Sequence, residues 1–228
     1  MMAAYDLNSD FLGYLIDQGI PPGERVPTLS ELSVFLGISV GKLREQFEAA
    51  RQLGLVSARP RIGIRREPYS FYSTIRAGLL FGLASSEVSF EQLSELRQNI
   101  ERSMWYEAVT RLTADDLDLL QKLVELAWQK LREQPVHIPT DEHRQLHLTI
   151  FCRIDNPLVV GILEAYWDAY DNIQLTRFAD YQYWIDVWTY HEQIVDAIVA
   201  SEYEVARDFL QDHFKLLPKS PLGSGESA

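Results

Sequence analysis

The stretch TLSELSVFLGISVGKLREQFEAARQLGLVSARPRIGIRR, residues 28–66, decides how the front of the chain folds. Leu29, Leu32, Phe35 and Leu36 recur at helical spacing behind Thr28, whose hydroxyl suits an N-cap. Gly37 ends that helix, and Ser39 is placed to cap a second one that runs to about Leu53 and turns Leu43, Phe47 and Ala50 inward. Helix, short glycine-containing turn and second helix make the helix-turn-helix pattern. Leu55-Val-Ser-Ala and Ile62-Gly-Ile-Arg follow as two extended runs joined by the basic turn Arg59-Pro-Arg, a β-hairpin wing. The helix pair alone is a weak signal; with a basic wing behind it, it is a strong one.

Working outward, residues from about Tyr5 to Asp17 read as a short helix ending near Gly19, with Pro21-Pro-Gly as a turn. Downstream, Glu67-Pro-Tyr-Ser breaks the pattern because Pro68 fits neither a ladder nor a helix interior. Everything beyond it reads as helix. Leu93, Leu96, Ile100 and Met104 form one stripe, and Leu117, Leu120, Val124, Ala127 and Leu131 another, in a helix started by Thr113. Thr140 is expected to cap a third helix reaching about Ile154, Asn156-Pro157 opens a fourth, and two more span about 183–200 and 202–217. The expected fold is mainly α: an N-terminal winged helix-turn-helix over 1–67, a linker at 68–74, an all-helical antiparallel bundle over 75–217, and a disordered Pro/Gly/Ser-rich tail at 218–228.

Composition narrows the function. One cysteine in 228 residues, Cys152, excludes an internal disulfide scaffold and a cysteine-based zinc finger; it reads as a buried small hydrophobe. The N-terminus lacks the basic and apolar regions of a secretory signal, and the apolar runs are too short to span a bilayer, so a soluble cytoplasmic protein is expected. The net charge of -12 conceals a split. Residues 1–66 carry eight Lys/Arg against seven Asp/Glu (+1), the remainder thirteen against twenty-six (-13). Lys42, Arg44, Arg51, Arg59, Arg61, Arg65 and Arg66 crowd around the wing, and local sign outweighs the total at distances beyond a Debye length of ~8 Å. Asp115, Asp116 and Asp118 open a helix, where negative charge suits the dipole, and read as solvated.

The histidines carry the chemistry. His143 and His147 are four apart on the face that continues with Ile150 and Ile154, so they point inward. His191 lies on the stripe of Trp184, Trp188, Ile194, Val195 and Ile198, and His213 follows Ala206, Phe209 and Leu210. Any one of them could be a core histidine bonded to a neighbour, and that alternative stays open. Four on converging stripes point to a metal site, with imidazoles suiting zinc, nickel, cobalt or copper better than magnesium or calcium. His137, between two prolines, reads as a surface residue. The aromatic run from Tyr166 to Tyr190, including Trp167, Tyr170, Phe178, Tyr181, Trp184 and Trp188, reads as core and dimer interface.

Motif order and spacing from about Leu12 to His213 resemble GntR-family transcriptional regulators of the FadR type with an FCD effector domain. The matching runs are Pro22-Gly-Glu-Arg-Val-Pro-Thr, Leu36-Gly-Ile-Ser, Leu43-Arg-Glu, Gly54-Leu-Val and the wing around Gly63. Further on they are Glu95-Leu-Arg-Gln-Asn-Ile-Glu, His147 before Asn156-Pro157, and His191-Glu-Gln-Ile-Val-Asp-Ala-Ile before His213. The resemblance implies a homodimer that binds a double-stranded DNA operator through its winged helices, with Thr28, Ser39, Lys42, Arg44, Arg61, Gly63 and Arg65 at the DNA. It implies a divalent transition metal, zinc or nickel, held by His147, His191 and His213, with His143 where the family usually has aspartate. It implies a small organic acid effector met by Arg97, whose alternative is a surface salt bridge with Glu101. Ser30 and Val40 stand where the family often has arginine, which leaves room for a regulator with degenerate DNA recognition. A metal-dependent enzyme acting on a small carboxylic acid is the reading from another class, though no carboxylate stands out as its general base.

Overall fold

The structure, a computed structural model, describes residues 6–173 and 179–216. The chain divides into two compact units, Met1–Ala77 and Gly78–Ala228.

In the first unit, α1 (Asp10–Asp17) starts at Ser9, whose hydroxyl accepts from Leu12 N. The helix expected from Tyr5 is thus shorter than its apolar spacing suggested, and Tyr5 lies outside the described residues. A two-residue strand β1 (Arg25–Val26) precedes α2 (Leu29–Leu36) and α3 (Val40–Gln52). Thr28 caps α2 in a capping box with Glu31, Gly37 closes it in the left-handed region, and Ser39 caps α3 through Lys42 N. The wing strands β2 (Val56–Arg59) and β3 (Gly63–Arg66) form a three-stranded antiparallel sheet in the order β1-β3-β2. Phe11, Leu15, Leu32, Leu43, Phe47 and Val56 fill the core, with Phe11 edge-on to Phe47 at 5.9 Å. Of the stripe expected on α2, Phe35 instead remains 66% exposed, its ring edge-on to Tyr14.

The second unit is helical. Residues 67–70, which belong to the first unit, carry no regular secondary structure, and α4 (Phe71–Ala84), which runs from the first unit into the second, begins inside the stretch expected as linker. It is followed by α5 (Phe90–Val109), α6 (Ala114–Arg132), α7 (Thr140–Ile150), α8 (Pro157–Ile173), α9 (Tyr181–Val199) and α10 (Tyr203–His213), with a turn of 3₁₀ helix at Phe214–Leu216. Ser89 and Thr113 cap α5 and α6 in capping boxes. Thr140 does not cap α7: it is the first helical residue, and Pro139 before it has no side-chain donor or acceptor to offer. Helix α9 packs on α6 and α10, and α5 on α8 and α10. The principal core gathers Trp105, Leu120, Ala127, Leu146, Ile150, Trp184, Trp188, Ile194 and Leu210; a second holds Phe90, Leu93, Tyr166, Trp167 and Tyr170.

Three sequence expectations are corrected here. Leu96 is half exposed; the inward face of α5 is Leu93, Arg97, Glu101, Trp105 and Ala108. Asp116 is buried rather than solvated, because the Arg153 guanidinium forks onto it at 2.7 and 2.9 Å. Cys152 is exposed, beside that pair, rather than buried. Of the aromatic run, Tyr166, Trp167, Tyr170, Trp184 and Trp188 are core, Tyr181 is exposed, and Phe178 lies outside the described residues, as do Leu217 and the tail.

Gly54 ends the α3–β2 connection at φ +73, and a Cβ there would stand 2.6 Å from Ser73 Cβ. Gly54→Ala therefore combines a left-handed alanine with a clash between backbone-borne atoms. It should cost at least ~1–2 kcal/mol, read as a lowered melting temperature. Gly13→Ala, mid-helix in α1 with nothing within 4 Å of the new methyl, should instead be neutral or stabilising by up to ~1 kcal/mol.

Candidate functional site

Helix α7 supplies His143 and His147 one turn apart, α9 supplies His191, and His213 closes the last turn of α10. All four rings are buried, and one ring nitrogen from each lies within 4.8 Å of the others. His191 Nε2 sits 3.1 Å from His147 Nε2 and 3.2 Å from His213 Nε2. Four nitrogens bonded tetrahedrally at 2.0–2.1 Å stand about 3.3 Å apart, and neighbouring octahedral ligands about 3.0 Å, so these separations fit a shared ion. The His143 ring completes the group, its centroid 4.9 Å from that of His191, 5.3 Å from that of His147 and 6.1 Å from that of His213.

If these were core histidines satisfied by their neighbours, their nitrogens should be bonded. Both nitrogens of His143 and Nδ1 of His191 and of His213 are buried without a hydrogen-bond partner. A buried unpaired polar atom costs about 1–3 kcal/mol. The donor set is four neutral nitrogen ligands, and it fits a divalent transition metal better than a hard oxygen-seeking cation.

Electrostatics keep the rings neutral. Burial, with the charge of Arg97 and the neighbouring rings, holds His143, His147 and His191 well below the ordinary value of 6.5; burial and then Arg97 lower His213 to about 3. Arg97 itself is 1% exposed. Its Nε and Nη2 fork onto Glu101 at 2.7 and 3.0 Å, its Nη1 donates to Tyr166 Oη at 3.3 Å, and Nη2 also meets His147 Nδ1 at 3.1 Å. The salt bridge weighed for Arg97 thus exists, but it is buried rather than on the surface. Burial works against the guanidinium charge, yet Glu101 and Tyr166 more than offset it, and its pKa is raised. Burial pushes the Glu101 carboxyl up, and Arg97 pulls it back only in part.

Aromatic rings wall the cluster. Trp167, Trp184 and Trp188 lie 4.8, 5.9 and 6.4 Å from the His143 ring, centroid to centroid, and the Nε1 atoms of all three are buried without partners. An indole N–H can only donate, so each of these three lacks an acceptor. The structure therefore joins His143, His147, His191, His213 and Arg97 in one site, and adds Glu101 and the indoles.

On the first unit, Thr28 and Ser39 are helix caps, and Lys42 pairs with Asp10 at 2.7 Å. Arg44 is exposed on α3 and Arg61 on the wing turn at φ +66. Gly63, at φ +87, lets the Arg25 guanidinium lie against the backbone, and Arg65 donates to the Gly23 carbonyl. Arg25 was missed in the sequence. It pairs in register with Arg65 across β1–β3 and is exposed, but its strand is too short to leave a periodic signal. Arg51, by contrast, is taken up by Glu48 at 2.7 Å, and Arg66 donates to the Ile20 carbonyl.

Residues 92–216 match the FCD domain family. An uncharacterized HTH-type transcriptional regulator of Bacillus subtilis, YcbG, is 22% identical over 216 residues, covering 90% of this chain and 84% of that protein. Streptococcus agalactiae GntR has a similar structure, with a TM-score of 0.67 at 19% identity over 90% of this chain and 93% of its own. E. coli McbR/YncC, also 19% identical, covers 90% of each chain with a TM-score of 0.48. Among the described residues no helix is long and apolar enough to cross a membrane.

The lowered histidine values set a pH dependence. Below 6.5 an unfolded chain takes up protons that the buried rings refuse, so the unfolded state binds more and stability falls with pH. Urea melts in chelator should show the metal-free protein losing up to ~1.4 kcal/mol per histidine for each pH unit below that value, continuing for His213 towards about 3. Unfolding midpoints that do not move between about pH 7.5 and about pH 5.5 would contradict this.

Proposed function

The chain belongs to the FCD-domain family of GntR-type transcriptional regulators, and from that premise we propose a ligand-responsive, DNA-binding homodimer whose helical unit holds a metal and senses a small organic acid. The observation that carries the reading is the convergence of His147, His191 and His213 with Nε2 atoms 3.1 and 3.2 Å apart, and His143 beside them. These four residues would hold a divalent transition metal, zinc or nickel. When bound, such an ion supplies a localised positive charge and coordination positions that attract a carboxylate. His143 in place of the usual aspartate leaves the site one unit more positive. Arg97 brings a guanidinium charge beside the cluster and one N–H donor that Glu101, Tyr166 and His147 leave unengaged, which suit a carboxylate guest.

On the operator, Arg44 and Arg61 are the candidate base readers, with Lys42 and Arg65 on phosphates and Thr28, Ser39 and Gly63 shaping the contact elements. Two recognition helices of a dimer must meet half-sites about 34 Å apart, and an effector that prefers one arrangement shifts the population that can do so. Such a protein works in the cytoplasm, beside the DNA it reads.

Two measurements test this. Zinc or nickel should raise the melting temperature of chelated protein, worth ~2.7 kcal/mol at a hundredfold excess over Kd, and His191→Ala should abolish the increment. A screen of small carboxylic acids should then find one that stabilises only the metal-loaded form. In gel shifts the protein should retain its own promoter fragment in a salt-sensitive way, with Arg44→Ala or Arg61→Ala costing ~1–3 kcal/mol of discrimination. Metal that leaves the melting temperature unmoved, or retention indifferent to sequence, would overturn the reading.

A further inference from the structure

A guanidinium has only donors to offer, and this fixes the proton of any histidine it touches. Arg97 Nη2 lies 3.1 Å from His147 Nδ1, so Nδ1 is the bare, accepting nitrogen and the neutral ring carries its hydrogen on Nε2. That hydrogen faces His191 Nε2, 3.1 Å away, which accepts it. Yet Nε2 is the nitrogen that His147 turns towards the other imidazoles, and an Nε2–H has no lone pair for a shared ion. The tautomer that Arg97 enforces and the tautomer that ligation requires are opposite ones. The other tautomer needs an acceptor at Nδ1, and Glu101 Oε1 stands 3.8 Å from it, on a carboxylate as deeply buried as the ring.

We propose that Glu101 is the positioning residue for His147: in the metal-bearing protein it accepts the Nδ1–H of His147, and Arg97 releases that nitrogen and so gains a free Nη2–H for a carboxylate. The inference rests on the metal-centre reading above. The proton count balances: His147 gives its Nε2 hydrogen to solvent and takes one from solvent on Nδ1, so the ring is neutral before and after and Glu101 keeps its charge. Four of the five N–H donors of Arg97 are engaged as the site stands: one by His147, two by Glu101, one by Tyr166. An acid meeting Arg97 in that state has one donor left to use. Once His147 has turned to Glu101 the acid has two, so metal and acid bind with positive coupling. A ligating imidazole whose far nitrogen donates to a carboxylate is a recurrent outer-sphere arrangement, and its loss weakens metal binding by about 10- to 100-fold.

The test reads the tautomer directly. Full-length protein labelled with nitrogen-15 histidine is compared by long-range nitrogen–proton correlations with chelator and with stoichiometric zinc, at one neutral pH. His147 should be Nε2–H in the chelated protein and Nδ1–H with zinc. Glu101→Gln should weaken zinc binding about 10- to 100-fold. Should that variant fold poorly, the double change Arg97→Met with Glu101→Met removes the pair as a unit, and chelated His147 should then leave the pure Nε2–H form. Acetate, the smallest two-carbon carboxylate probe, should shift the Arg97 guanidinium signals in zinc-loaded protein and much less in chelated protein. A His147 already Nδ1–H without zinc, or one tautomer in both states while zinc binds, overturns this inference alone. Zinc that perturbs none of the four rings overturns it together with the metal-centre reading.

Discussion

A positive charge buried almost completely organises the helical unit. Arg97 is enclosed by α5, α7, α8 and the turn after α10, with Tyr166, Trp167 and Phe214 rings within 4.8–5.3 Å of its guanidinium carbon. A buried ion survives only with partners for its hydrogens, and removing one partner of such a pair costs about 3–5 kcal/mol. Glu101, Tyr166 and His147 are therefore constrained in place, and through His147 so is the imidazole cluster. Burial, reinforced by the same charge, holds the rings neutral. Stability and ligand chemistry are linked at one residue, since whatever frees the guanidinium also unsettles its surroundings.

How much of this was legible in the sequence depended on which rule the residues obeyed. His143 and His147 follow the i,i+4 rule on an otherwise apolar face, and His191 and His213 sit on clean stripes, so their convergence could be read directly. The caps of α2, α3 and α6 were equally plain, because hydroxyl and partner are three residues apart. On α5 the rule failed. Apolar residues were assigned to the inside, but Leu96 faces out while Arg97 and Glu101 face in, each cancelling the other's charge at a separation of one turn. A mutually satisfied pair leaves no trace in hydropathy. Asp116 escaped notice for the same reason: its partner Arg153 is 37 residues away, and only folding brings them together. Arg25 shows the opposite limit, a residue whose strand is too brief to have a period.

The exchange at His147 gives the site a simple physical character. One nitrogen cannot serve a donor and carry a hydrogen at once, so two guests that need different states of that nitrogen cannot be independent. Sub-ångström adjustments within one turn of α5 suffice, because Arg97 and Glu101 already touch and both already lie beside the ring. No large rearrangement of the bundle is demanded.

The Lys42–Asp10 pair on the first unit has a consequence for polyanions. Any phosphate that draws on Lys42 must also approach a carboxylate 2.7 Å from the ammonium, which Gln46 further steadies at 2.9 Å. Lysine and aspartate together present almost no net charge, so the pair neutralises little of a phosphate backbone and displaces few of the counterions condensed on it. In the proposed complex with DNA, the ionic-strength sensitivity would accordingly rest on the exposed guanidinium groups of Arg44 on α3 and of Arg59 and Arg61 on the wing more than on Lys42.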